Sequence, residues 1–248
     1  MIERRYGYSH MGQDRPGWDR IDPNPNKEEN LLSKPPFDAQ RLDGGPSPRP
    51  WSAHLDLSSG ALWPPSHVVT CHLSEMAGRY ADQAAEKQLL TSANPLIYRA
   101  DEIPAPERSG ELHTSVTVLY PGKVGDEYFM SKGHYHVREE CVKVYLAVTG
   151  TGYLLMQTSQ GDTMEVPMVP GTIVYCAAGW AQRTVNVGSD PFAYFKYWPG
   201  DSGHDYDRVI DEGGFFKRIL DRDGTPTIVD AANVRPTMSS TAPTTTSI

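Results

Sequence analysis

Residues 142–176 read VKVYLAVTGTGYLLMQTSQGDTMEVPMVPGTIVYC. Short runs rich in Val, Leu, Met, Tyr and Thr are interrupted by Thr149-Gly150-Thr151-Gly152, by Gln160-Gly161-Asp162 and by Pro170-Gly171. Runs of this length, bounded by turn residues, read as strands: Val142–Thr149, Gly152–Thr158, Met164–Val166 and Thr172–Cys176. The pattern continues on both sides. Ser115–Tyr120 and Glu127–Lys132 precede it, Arg183–Val187 and Phe192–Trp198 follow, and Pro121-Gly122 and Gly188-Ser189-Asp190 mark further turns. Many short strands with regular turns predict an all-β sandwich or barrel, the jelly roll among them. Before residue 95 the character differs. Good helix formers over 74–90, with a blemish at Gly78, predict a helix, and 205–222 predicts a short helix and a last strand.

A chain of 248 residues accommodates one domain with tails. Residues 1–33 are polar and charged and read as an irregular N-terminal arm. Residues 34–235 form the domain, its first part rich in Pro and Gly, and 236–248 read as a disordered low-complexity tail. The net charge of -8 argues against a nucleic-acid partner but leaves room for a small anionic ligand. Three widely spaced cysteines, Cys71, Cys141 and Cys176, fit reduced thiols and a cytoplasmic location. No run approaches the ~20 apolar residues of a membrane span, and no apolar signal core opens the chain.

Just before the quoted stretch lies Gly133-His134-Tyr135-His136. In a strand, residues i and i+2 share a face, so His134 and His136 point together. Two imidazoles on one face suit a divalent transition metal, Fe, Zn, Mn or Ni. This His-x-His resembles the start of the cupin metal-binding motif, which implies a carboxylate on the next strand with six residues between it and a turn glycine. Counting back from Gly150 leads to Lys143 instead.

Thr117-Val-Leu-Tyr-Pro-Gly-Lys-Val-Gly-Asp-Glu-Tyr-Phe-Met-Ser-Lys-Gly-His-Tyr-His resembles the signature of the cupin-type, archaeal-type glucose-6-phosphate isomerases. The resemblance continues through Val144-Tyr145, Gly161-Asp162, Met168-Val-Pro-Gly-Thr-Ile-Val-Tyr, Trp180-Ala-Gln-Arg-Thr-Val-Asn-Val-Gly and Gly203-His-Asp-Tyr. It implies a cupin double-stranded β-helix jelly roll, a homodimer, and an aldose–ketose isomerase acting on glucose 6-phosphate and fructose 6-phosphate in carbohydrate metabolism. It also implies a metal held by two histidines, a glutamate and a later histidine, the glutamate doubling as base. The histidines carry over to His134 and His136. The other two ligand positions are Lys143 and Gln182. The phosphate-contacting positions fall on Tyr98, Thr117, Ser131 and Gly133. The sugar-side positions fall on Tyr145, His204 and Tyr206, and Trp198 stands where the family has a tyrosine.

Several readings stay open. His134 and His136 either bind a metal, completed by Glu139, Glu140, Glu127 or His204, or are hydrogen-bonded core residues. Lys143 is either a structural ion-pair partner of Glu139, Glu140 or another acid, or a cation in the metal's place that acts as charge, base or Schiff-base amine. Gln182 donates to a substrate hydroxyl or satisfies Lys143. The function follows the same fork: a phosphosugar isomerase with a degenerate metal site, a phosphosugar-binding cupin without turnover, or a repurposed lysine-dependent enzyme.

Overall fold

The computed structural model of the chain describes residues 51–234, apart from 64 and 66. The arm expected over 1–33 and the tail expected over 236–248 lie outside the described residues. Among the described residues fifteen strands run in chain order. They are β1 (His54–Leu55), β2 (Leu62–Trp63), β3 (His67–His72), β4 (Leu96–Ile103), β5 (Leu112–Leu119), β6 (Lys123–Val124), β7 (Glu127–Tyr128) and β8 (Lys143–Thr149). β9 (Gly152–Gln157), β10 (Thr163–Met168), β11 (Ile173–Cys176), β12 (Ala181–Asn186), β13 (Phe192–Pro199), β14 (Lys217–Arg222) and β15 (Thr225–Asp230) complete the set.

Every strand pairing is antiparallel. A six-stranded sheet has the order β11-β8-β13-β5-β4-β3, a three-stranded sheet the order β10-β9-β12, and a four-stranded sheet the order β15-β14-β7-β6. The main apolar cluster draws on all three: Tyr145, Ala147 and Tyr194 from the first, Leu154, Met156 and Val185 from the second, Val124, Tyr128 and Ile219 from the third. This is the expected jelly roll, and antiparallel pairing lets each strand present one face to the interior. Among the described residues no helix is long and apolar enough to cross a membrane.

The helix expected over 74–90 is two pieces, a 3-10 turn at Leu73–Met76 and an α-helix at Gln83–Ser92. Gly78 at φ +77° and the Asp82 cap explain the break, since Asp82 accepts from the amides of Ala84 and Ala85 and starts a new helix. The strand expected over 127–132 is only Glu127–Tyr128, followed by a single bridge from Met130 to Val185. β1, β2, β3, β4, β6 and β15 went unread. Leu96–Ile103 carries Arg99, Asp101 and Glu102, and that charge masks its strand character. Over 205–222 the expected helix, Asp207–Asp211, and strand, β14, are both present, but β14 is not the last strand, since β15 follows it. All three cysteines are free and buried.

Candidate active site

β12 pairs with β9 along one edge, and along the other it meets the 131–136 segment. Ser131 N donates to Thr184 O (2.9 Å), His134 N to Gln182 O (3.3 Å) and Gln182 N back to His134 O (3.1 Å). This sets Gln182 directly opposite His134. Gly133 makes the approach possible. It sits at φ +73°, and a Cβ there would meet the Phe215 ring at 2.5 Å and Arg183 Cβ at 3.1 Å. Arg183 is buried against the Phe215 ring and donates to Lys132 O (2.8 Å), holding the segment from below. Burial pushes its guanidinium down to about 9.

Lys143, the first residue of β8, is fully buried. Its Nζ donates to His134 Nε2 at 2.9 Å and lies 4.7 Å from the centre of the Trp198 ring. Burial, and then the nearby Lys196 ammonium, push the amine well below the usual lysine range. Cys176, the cross-strand partner of Lys143, has its thiol 3.3 Å from Gln182 Oε1. Lys143, His134, Gln182 and Cys176 therefore form one contiguous group. The structural ion pair considered for Lys143 is absent among the described residues, because the acids are engaged elsewhere. Glu139 pairs with Arg208, Glu140 with Arg138 (2.8 Å), and buried Glu127 with Arg218 (2.6 Å). None of these three completes a metal shell, whereas His204 does come in, edge-on to His134 with ring centres 4.3 Å apart.

His136 keeps a ligand-like posture. Its Nδ1 donates to Cys141 O (3.2 Å), which leaves Nε2 as a buried lone pair without a partner among the described residues. The rest of the set does not fit a divalent metal. An ammonium 2.9 Å from His134 Nε2 fills the space a metal at about 2.0–2.1 Å would need, and Gln182 offers only an amide. Among the described residues no group of three or more His, Cys, Asp or Glu is arranged to hold an ion. All three imidazoles are held neutral. Burial first, and Lys143 second, lower His134 far below its usual range, His136 to about 4 and His204 to about 2.

A cavity of about 80 Å³ opens in front of this group. Tyr98, Thr117, Ser131, Gly133, His134, Tyr145, Gln182, Trp198, His204 and Tyr206 line it, so most of the residues singled out in the sequence meet in one place. Lys143 and His136 stand just behind that wall. At one end hydroxyls are linked: Ser131 Oγ accepts from the amide of Thr184 (3.0 Å) and from its hydroxyl (3.1 Å), and that hydroxyl meets Tyr194 OH (2.8 Å). At the other end His204 packs on His134, Trp198 and Tyr206, with centres 4.3 to 5.9 Å away. Burial keeps the Tyr145 hydroxyl protonated.

Sequence reasoning missed Thr184, Tyr194, Lys196 and Glu102, which also line the cavity. Strand alternation carries the signal for all four. Tyr194 and Lys196 lie four and two residues before Trp198, Thr184 two after Gln182, and Glu102 four after Tyr98.

The family description "Glucose-6-phosphate isomerase (GPI)" matches residues 71–234. The glucose-6-phosphate isomerase of Thermococcus gammatolerans is 42% identical over 182 residues, covering 73% of this chain and 95% of that protein. That of Pyrococcus furiosus is 39% identical over 181 residues with the same coverage. Among solved structures, an oxalate oxidase aligns with a TM-score of 0.39 at 10% identity, over 48% of this chain and 59% of its own. With the family description spanning most of the described domain and these relatives covered almost end to end, this chain belongs to the glucose-6-phosphate isomerase (GPI) family.

Proposed function

We propose that this protein interconverts an aldose phosphate and a ketose phosphate of the glucose 6-phosphate and fructose 6-phosphate type, with amine charge standing where a metal would be. One observation carries the reading: a single cavity joins a hydroxyl and glycine cradle to a cluster of neutral imidazoles. Local charge agrees. In a chain of net charge -8, the cavity wall holds Lys132 and Lys196 against one carboxylate, Glu102, with Lys143 behind. Hydroxyls and a close-approach backbone amide hold a phosphate without a cluster of arginines. Tyr98, Thr117, Ser131 and Gly133 are assigned that task.

The far end of the sugar then lies against His134, His204 and Tyr145. Isomerisation moves one proton from C2 to C1 and one from O2 to O1, and nothing else enters or leaves. His204 has the exposed lone pair for the carbon proton, because burial keeps it neutral and an incoming phosphate dianion raises its basicity. The Tyr145 hydroxyl serves the oxygens. Lys143 acts through His134: its hydrogen bond fixes the tautomer with Nε2 as acceptor, and its charge favours the electron-rich intermediate. Gln182, Trp198 and Tyr206 shape the space around the reacting carbons. A homodimer in the cytoplasm is the assembly the family resemblance and the three buried free thiols support.

Incubating the protein with fructose 6-phosphate and following glucose 6-phosphate tests the reading. Turnover is expected. Thermal stabilisation by fructose 6-phosphate without any product would leave a binding module instead of an isomerase.

A further inference from the structure

β13 lines the cavity at alternate residues, Tyr194, Lys196 and Trp198. Lys196 lies opposite Tyr145 on β8 and opposite Ser115 on β5, and Ser115 faces Glu102 on β4. One row, Glu102–Ser115–Lys196–Tyr145, therefore crosses the wall. On one side, about 6.7 Å along the strands, is the row of Thr117 and Tyr194 with the hydroxyl cradle. On the other is Trp198, with Lys143 Nζ at 4.7 Å and Lys196 Nζ at 5.2 Å from its ring centre.

The two lysines differ in access. Lys143 is sealed behind the wall and spent on His134. Lys196 is part of the wall, and among the described residues its ammonium has no hydrogen-bond acceptor, only the indole face. An amine that lines the cavity in this way keeps its three donors available to whatever enters. Burial also presses it below the usual lysine range, with the more distant Glu102 opposing. Such a group is relieved when an anionic oxygen arrives beside it.

We propose that Lys196 is the substrate-facing cation of this site, donating to the oxygens on C1 and C2 of the bound sugar as negative charge develops on them. The inference rests on the phosphosugar isomerase reading and adds to it the group that meets the enediolate. Phosphate on the Thr117–Ser131–Thr184 cluster directs the other end of the sugar past Lys196 toward His134 and His204. The charge there is then delivered by a side chain of β13, while Lys143 keeps the neighbouring imidazole in order.

Two open-chain ligands separate this role from phosphate binding. A hexitol 6-phosphate is neutral at C1 and C2, whereas a five-carbon aldonic acid phosphate carries a carboxylate where the enediolate forms. Isothermal titration of wild type, Lys196→Met and Lys196→Arg with both ligands is the measurement, beside kcat and KM for fructose 6-phosphate. For Lys196→Met we expect affinity for the acid to fall at least about tenfold, affinity for the hexitol phosphate to stay within about threefold, and kcat to fall about 10²–10³-fold at nearly constant KM. Lys196→Arg should recover part of the acid's affinity. Retained hexitol phosphate binding also certifies that the variant is folded. Equal losses toward both ligands, or none toward either, would overturn the assignment while the phosphosugar reading stands. A wild type that binds neither ligand removes that reading, and this inference with it.

Discussion

Lys143→Met is expected to lower turnover of fructose 6-phosphate by about 10²–10³-fold and, at the same time, to make the protein more stable. The two effects share one cause. Lys143 is a fully buried amine whose partners are an imidazole nitrogen and an indole face. Desolvating an amine costs several kcal/mol, while one hydrogen bond to a neutral acceptor returns about 1 kcal/mol. Methionine fills a similar volume without a charge. The balance favours the variant by about 1–2 kcal/mol, or about 2–8 °C in Tm for a chain of this size. The activity goes because His134 loses the donor that fixes its tautomer, and the site loses a positive charge next to the reacting carbons. A kcat that survives with a raised Tm would make Lys143 a packing residue. A kcat that falls together with a lowered Tm would mean that its loss damages the fold.

The double variant Lys143→Glu, Gln182→His is expected to bind one divalent metal per protomer, with Kd at or below about 1 µM, where the wild type binds none that tightly. The argument is geometric. His134 and Gln182 face each other through two backbone hydrogen bonds, Lys143 Nζ already lies 2.9 Å from His134 Nε2, and Gln182 Oε1 meets the cross-strand partner of Lys143. His136 presents a buried lone pair oriented by a backbone carbonyl. Three imidazoles and a carboxylate then converge on the volume now held by the amine. Titration with Zn²⁺ or Mn²⁺ under a competing chelator reads the result. Metal affinity equal to that of the wild type would show that these four side chains do not share a volume.

The strands from β8 to β13 are legible in the sequence because short apolar and β-branched runs are bounded there by turn residues. β4 is not, because its cavity face, Tyr98, Ala100 and Glu102, is chosen to line a polar space and its other residues include Arg99 and Asp101. The helix over 74–90 misled for a local reason, since one glycine at positive φ outweighs good helix formers around it. In the site, the shared face of His134 and His136 follows from strand alternation, and the places of Lys143 and Gln182 from the family resemblance. The fates of Glu127, Glu139 and Glu140 do not. Glu127 is claimed by Arg218, 91 residues away, and Glu139 by Arg208, 69 residues away. Only the folded chain brings those partners together. Lys196 lay within reach of simple alternation from Trp198, but a resemblance draws the eye to family positions and past the residue between them.

The central claim is that this phosphosugar isomerase works on amine charge in place of a metal. The most direct test is turnover of fructose 6-phosphate by protein dialysed against a strong chelator, with bound metal counted by mass spectrometry on the same sample. The account predicts less than about 0.05 metal per protomer, with kcat within about twofold of untreated protein and unmoved by added Mn²⁺, Fe²⁺, Zn²⁺ or Ni²⁺. Activity that falls in step with the metal removed, and returns when it is restored, would contradict it.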